Sequence, residues 1–113
     1  MTKVIVKKNN NHIVEVEALG HTGYGVSGED IVCAALSSIL QTAVLGVLNV
    51  ANVQASIKRD DKSGYLKLCV PSNLTNNERH DVDMILNTML VGVSDLKLGY
   101  SNFIELEEIK NVY

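Results

Sequence analysis

From Ile31 to Ile57 the chain carries no charged residue. A helical segment that is apolar on most of its faces must be covered on most of them, so it belongs inside a packed domain or in a membrane. Ser37, Ser38, Gln41, Thr42, Asn49, Asn52 and Gln54 interrupt the stretch. No run therefore approaches the ~18 consecutive apolar residues of a spanning helix. The expectation is a buried helix in a soluble domain with no membrane association. One side of that helix is left for a second copy of the chain.

The 113 residues suit a single domain, residues 1–113, with apolar residues at 46% and charged residues at 20%. A domain of this size buries roughly two-thirds of its unfolded surface and needs no disulfide or metal to fold. The formal net charge is −3. That argues against direct nucleic-acid binding, which draws its affinity from Lys and Arg at phosphates. Lys3, Lys7 and Lys8 read as a solvated strand face. The two cysteines, Cys33 and Cys69, do not make a disulfide framework. The N-terminal apolar stretch is too short for a secretory signal. Reduced thiols in the cytoplasm are the expectation.

Apolar alternation marks strands over residues 3–8 and 12–19, with Val4 and Val6 on one and Val14, Val16 and Ala18 on the other. Asn9-Asn10-Asn11 between them forms a hairpin turn, because Asn tolerates left-handed backbone angles. A glycine-rich stretch leads to a helix from about Glu29 to Asn49. Either Ser27 or Asp30 caps it. A second hairpin covers residues 53–59 and 65–70 around Asp60-Asp61-Lys62-Ser63-Gly64. Val53, Ala55 and Ile57 share one face of it. A second helix spans residues 76–97, with Val82, Ile85, Leu86, Met89, Leu90 and Val93 inward and Gly99 as its stop. A last strand runs from Phe103 to Glu108. The order ββαββαβ predicts an α+β two-layer sandwich, with a mainly antiparallel sheet and two helices on one face.

Chemistry concentrates between Gly20 and Ala35. His21 ends an alternating run, and Cys33 stands within the first two turns of the apolar helix. A thiol near a helix N-terminus is biased toward thiolate, and an imidazole in reach completes a nucleophile and base. The bland alternatives are a small buried hydrophobe for Cys33 and a surface turn for His21. Asp30 either orients the imidazole or only caps the helix. Ser37, one turn after Cys33, lies on the same helix face. Backbone N–H groups from Ile31 to Ala34 are candidates for an oxyanion hole. Thr22, Gly23, Tyr24, Gly25, Val26, Ser27 and Gly28 form a candidate substrate loop that closes over the site. Cys69, His12 and His80 are assigned no role, the two histidines being solvated. No cofactor is expected, and His21, Asp30 and Cys33 lack the paired spacing of a metal site. One other class stays open on the residues alone: a thiol redox protein in which Cys69 meets Cys33.

The segment GHTGYGVSGEDIVCAALSS resembles the signature of the bacterial ribosomal-processing cysteine proteases, the Prp family, and the resemblance covers essentially the whole chain. It implies a catalytic histidine at His21 and a nucleophile at Cys33, with Gly20, Asp30 and Ser37 supporting them. It implies a cysteine endopeptidase that removes the N-terminal extension of a large-subunit ribosomal protein, L-twenty-seven, cutting after an aromatic residue. It also implies a homodimer, and it leaves a non-catalytic ribosomal-protein binding or assembly factor as the alternative.

Overall fold

A computed structural model of the chain describes residues 1–20 and 27–111. The elements are β1 (Thr2–Asn9), β2 (His12–Leu19), α1 (Ser27–Asn49), β3 (Ser56–Asp60), β4 (Tyr65–Cys69), α2 (Asn76–Gly99) and β5 (Ile104–Ile109). The five strands form one sheet in the order β3-β4-β2-β1-β5. Every neighbouring pair is antiparallel except β1 with β5, which is parallel. The architecture is the expected ββαββαβ α+β sandwich.

The β1–β2 turn is as expected. Asn10 and Asn11 both have positive φ, 52° and 65°, and Asn9 pairs with His12 across them. Two consecutive left-handed residues are what a two-residue hairpin turn needs to match the strand twist. Beyond the turn the alternation differs from expectation. The ladder slips between Lys7, opposite Glu15, and Lys8, opposite Ile13. This bulge leaves Val14 without a β1 partner and turns Ile13 into the core, fully buried. The Val14 carbonyl accepts from the Val70 N–H at 2.9 Å instead.

The core lies between the sheet and the helices. Val4, Val6, Val16, Ala18, Leu68 and Ile104 from the strands meet Val32, Leu36, Leu40 and Val47 from α1, and Val82, Leu86, Met89 and Val93 from α2. The helices approach closely at Gly46, where a Cβ would stand 3.1 Å from Ile85 Cγ2. Within α1, Ile31–Asn49 has a mean hydropathy of 2.1, enough by length and composition to cross a membrane. One stripe of it is core, whereas Ile31 (68% exposed) and Leu45 (56% exposed) are uncovered.

Three boundaries differ from the sequence expectation by more than one residue. Helix α1 starts at Ser27, so Asp30 is its fourth residue and not its cap. Elongating a helix anchored by Val32 and Leu36 adds one backbone bond per residue after the costly nucleus, which favours the extra N-terminal turn. Strand β3 starts at Ser56, not at 53. Asn52 takes φ 55°, and the Val53 N–H bonds back to the Val47 carbonyl at 3.0 Å. Val53 is a buried residue of the helix-to-strand turn and not part of the ladder. Gly99 is the last residue of α2, and Tyr100 caps it by donating to the Leu96 and Lys97 carbonyls.

The other face of the sheet is charged. Lys7 Nζ lies 2.9 Å from Glu15 Oε2, and Lys3 Nζ lies 3.1 Å from Glu107 Oε2. Lys8, on the helix side with Ile13, pairs instead with Glu108 at 2.8 Å at the edge of the core face. Lys7 faces Glu15 directly in the ladder, whereas Lys3 reaches Glu107 diagonally, two residues beyond its partner Glu105.

Candidate active site

Cys33 is buried, 5% exposed, on the side of α1 that faces the start of β1. Its sulfur lies 3.4 Å from the Thr2 hydroxyl. Both residues line a cavity of about 250 Å³. Ala18, Leu36, Leu40 and Leu66 give the cavity an apolar wall. Ser37 lines it one helical turn beyond Cys33, as its spacing predicts. The β3–β4 hairpin closes the far side with Arg59, Asp60, Asp61 and Tyr65.

The hairpin is held in shape by its own polar contacts. The Arg59 Nε donates to Asp61 Oδ1 at 2.6 Å, and the Lys62 N–H donates to Asp60 Oδ1 at 3.0 Å. The Tyr65 hydroxyl donates to Glu17 Oε2 at 2.6 Å. That bond, with burial and the charges of Glu17 and Glu15 adding to it, pushes the phenol up to about 12. Tyr65 is therefore neutral at physiological pH, its hydroxyl turned to Glu17 on the outer face while Leu66 faces the cavity.

Gly20 lies at the same end of the sheet. Its φ is +87°, and a Cβ there would meet the Met1 carbonyl oxygen at 2.8 Å. Only glycine takes this conformation and this approach without strain. Gly20 is the last described residue before His21, and it stands beside the strand end that carries Thr2. His21 itself, and Thr22, Gly23, Tyr24, Gly25 and Val26 of the expected substrate loop, lie outside the described residues. The side chain of Asp30, and with it any orienting role, does so too. Ser27 and Gly28, read from sequence as loop, are the first two residues of α1.

The longer helix changes the expected electrostatics. Cys33 is the seventh residue of α1. The unpaired N–H groups and the favourable end of the dipole are confined to the first turn. The N–H groups of Ile31 to Ala34 are consumed inside the helix, so they do not form an oxyanion hole. Sequence reasoning missed Thr2, Arg59 and Tyr65. They come from strands far away in sequence, and only the alternation that turns Thr2 inward with Val4 and Val6 hinted at one of them.

The second cysteine has another environment. Cys69 is half-buried on the charged face, and its thiol lies 3.6 Å from Glu15 Oε1. Burial pushes this thiol up, and the charge and hydrogen bond of Glu15 push it further. Successive strand residues face opposite ways. Cys69 therefore shares the outer face with its partner Glu15, whereas Leu68 faces the core with Val16. Cys33 is on the helix side, so the sheet separates the two sulfurs and the paired-thiol redox reading loses its geometry. His12 is not simply solvated: its Nδ1 lies 2.6 Å from Asp83 Oδ2, tying β2 to α2. His80 is exposed beside Asp81, as expected.

A thiol set in the wall of such a cavity is the arrangement that thiol hydrolases use for nucleophilic attack. Comparison with known proteins narrows the class. The family model of the cysteine protease Prp matches residues 1–105, and the chain belongs to that family. The ribosomal processing cysteine protease Prp of Staphylococcus aureus (strain Mu50) is 30% identical over 106 residues, covering 94% of this chain and 96% of the relative. The Bacillus subtilis (strain 168) protein of the same name is 22% identical over 98 residues, covering 87% and 88%. A crystal structure of a Streptococcus mutans protein matches with a TM-score of 0.88 at 27% identity, over 97% of this chain and 95% of that one. The S. aureus Prp in complex with a substrate peptide matches with a TM-score of 0.84 at 26% identity, over 96% and 99%.

Proposed function

We propose that this chain is a cysteine endopeptidase working through a Cys33–His21 dyad. Its substrate on this reading is a ribosomal protein precursor, the large-subunit protein L-twenty-seven with an N-terminal extension. The observation that carries the reading is the Cys33 sulfur in the wall of an apolar cavity, in a chain of the Prp family. The S. aureus relative has crystal structures in complex with a substrate peptide and with a covalently linked product peptide.

In this mechanism His21 takes the Cys33 proton and the sulfur attacks the scissile carbonyl carbon. The C–N bond breaks as His21 returns the proton to the leaving amine. Water then hydrolyses the thioester and frees the thiol. The wall of Ala18, Leu36, Leu40 and Leu66 suits an aromatic or other large apolar side chain beside the scissile bond. Ser37 lies close enough to contact bound peptide. Thr22–Val26 remain the proposed substrate loop.

The exposed Ile31 and Leu45 of α1, with Met84 of α2, support a homodimer that covers these helices. A cytoplasmic location fits two free thiols, one of them the proposed nucleophile. Incubation with the extended ribosomal protein, followed by mass analysis, tests the activity. The expected product lacks the extension, and Cys33→Ala and His21→Ala leave the precursor intact. Cleavage by Cys33→Ala at the wild-type rate overturns the assignment. Light scattering at micromolar concentration tests the dimer, and a monomer overturns it.

A further inference from the structure

We infer that the Thr2 hydroxyl is a positioning group for Cys33, donating a hydrogen bond to its sulfur and favouring the thiolate. The inference rests on the reading of Cys33 as the nucleophile and adds a residue to that site.

Thr2 is the one buried polar residue among the described residues, 2% exposed. It occupies the inward position of β1 that Val4 and Val6 continue, and both of those are fully buried. A valine at position 2 would extend the same apolar row with nearly the same shape. A hydroxyl placed there is costly unless it has a partner. The partner is the Cys33 sulfur, 3.4 Å away.

The contact is rigidly supported on both sides. The Thr2 N–H donates to the Phe103 carbonyl at 3.0 Å, and Thr2 pairs with Ile104 in the parallel ladder. Its β-branched side chain has few rotamers to choose from. Cys33 is fixed by α1, with Val32 and Leu36 in the core around it. Two regular elements thus hold the oxygen and the sulfur at one separation, which is how precise sites are built.

Direction follows from charge. In the neutral pair either atom can donate. Once the thiol has lost its proton, only the hydroxyl has a hydrogen to give, and a hydrogen bond to an ionised group is the stronger kind. The contact therefore favours the thiolate over the thiol. The site has need of such a donor, because Cys33 stands beyond the first turn of its helix. The bond also fixes one side of the sulfur, and the cavity that both residues line leaves room for a carbonyl on another.

The test compares Thr2→Val, Thr2→Ala and Thr2→Ser with the wild-type chain. The rate of iodoacetamide alkylation at Cys33, resolved from Cys69 by peptide mass mapping, is followed as a function of pH. Thermal unfolding confirms that each variant folds. Removal of the hydroxyl is expected to move the alkylation profile to higher pH, with about tenfold less reactive thiolate on its acidic limb. The kcat for precursor cleavage falls by a similar factor while KM changes little. Thr2→Ser keeps the donor and restores both. A Thr2→Val profile that coincides with wild type overturns the inference even if cleavage proceeds. Should Thr2→Val fail to fold, the Thr2→Ala and Thr2→Ser pair decides by the same criterion. A shifted profile in a chain that cleaves no precursor sustains the Thr2 contact and removes the protease reading, so the two fail separately.

Discussion

The two cysteines of this chain sit on opposite faces of one sheet, in opposite chemical settings. Cys33 is held in an apolar wall, with the Thr2 hydroxyl beside it and a cavity in front of it. Cys69 faces a carboxylate, Glu15, which is itself engaged by Lys7 and Lys67. Burial, and then the negative neighbour, disfavour a thiolate there, so the Cys69 thiol is pushed up. Exposure does not separate the two roles, because the proposed nucleophile is the more buried of the pair. The neighbours separate them: a neutral donor beside one sulfur, an anion beside the other.

The largest expected contrast is in turnover. Cys33→Ala should lower cleavage of the extended precursor by about 10⁴-fold or more, the scale seen when a nucleophile is removed. Cys69→Ala should leave it within about twofold, since Cys69 faces Glu15 on the other side of the sheet. A steady-state assay on both variants sharpens the comparison, and equal losses break it.

Next in size is the strand end that delivers the chain to His21. Gly20→Ala adds a Cβ at φ +87° against the Met1 carbonyl. The expected cost is about 1–3 kcal/mol of stability, with cleavage reduced as well. Chemical denaturation reads the first quantity. An unchanged midpoint would show that the β2 exit adapts freely.

The smallest effect belongs to the charged face. Burial pushes the Glu15 carboxyl up, but the hydrogen bond and charge of Lys7, the charge of Lys67 and the Cys69 hydrogen bond together hold it below its ordinary value of 4.5. A depressed carboxylate contributes stability above its unfolded pKa and loses it as pH falls through the folded one. The contribution should therefore be present near neutrality and vanish below about pH 4.5. Glu15→Gln should cost about 1 kcal/mol or less at neutral pH and almost nothing in acid, because its partners are partly exposed. Thermal melts at the two pH values check this. The same substitution should leave cleavage unaltered, whereas an effect on activity would join the two faces that the comparison separates.

Much of this arrangement was legible before any coordinates. The asparagine turn, the two helices and the core residues Val82, Leu86, Met89 and Val93 follow from local patterns that local physics enforces. At the candidate site, the place of Ser37 on the cavity wall one turn after Cys33 follows from helical spacing. What escaped depends on contacts distant in sequence. A bulge opposite Lys7 exchanged Ile13 for Val14 in the core. The capping box of Thr75 and Glu78, both bonds of which are formed, is by contrast a local T-x-x-E pattern. Thr2 and the Arg59–Tyr65 hairpin reach Cys33 only through sheet pairing. The extra turn of α1 moved Cys33 away from the free N–H groups, which local sequence did not reveal, because Ser27 and Asp30 are both good caps.

The proposed activity requires Cys33 to be the sulfur that meets substrate. A peptide matching the junction between extension and mature protein, carrying an electrophilic ketone at the scissile position, tests this most directly. After reaction with the full chain, digestion and mass mapping show which residue carries the peptide. The expected result is a single adduct on Cys33, with Cys69 unmodified and with cleavage of the precursor lost in step with labelling. An adduct on Cys69, or full cleavage by a chain already labelled on Cys33, would contradict the account.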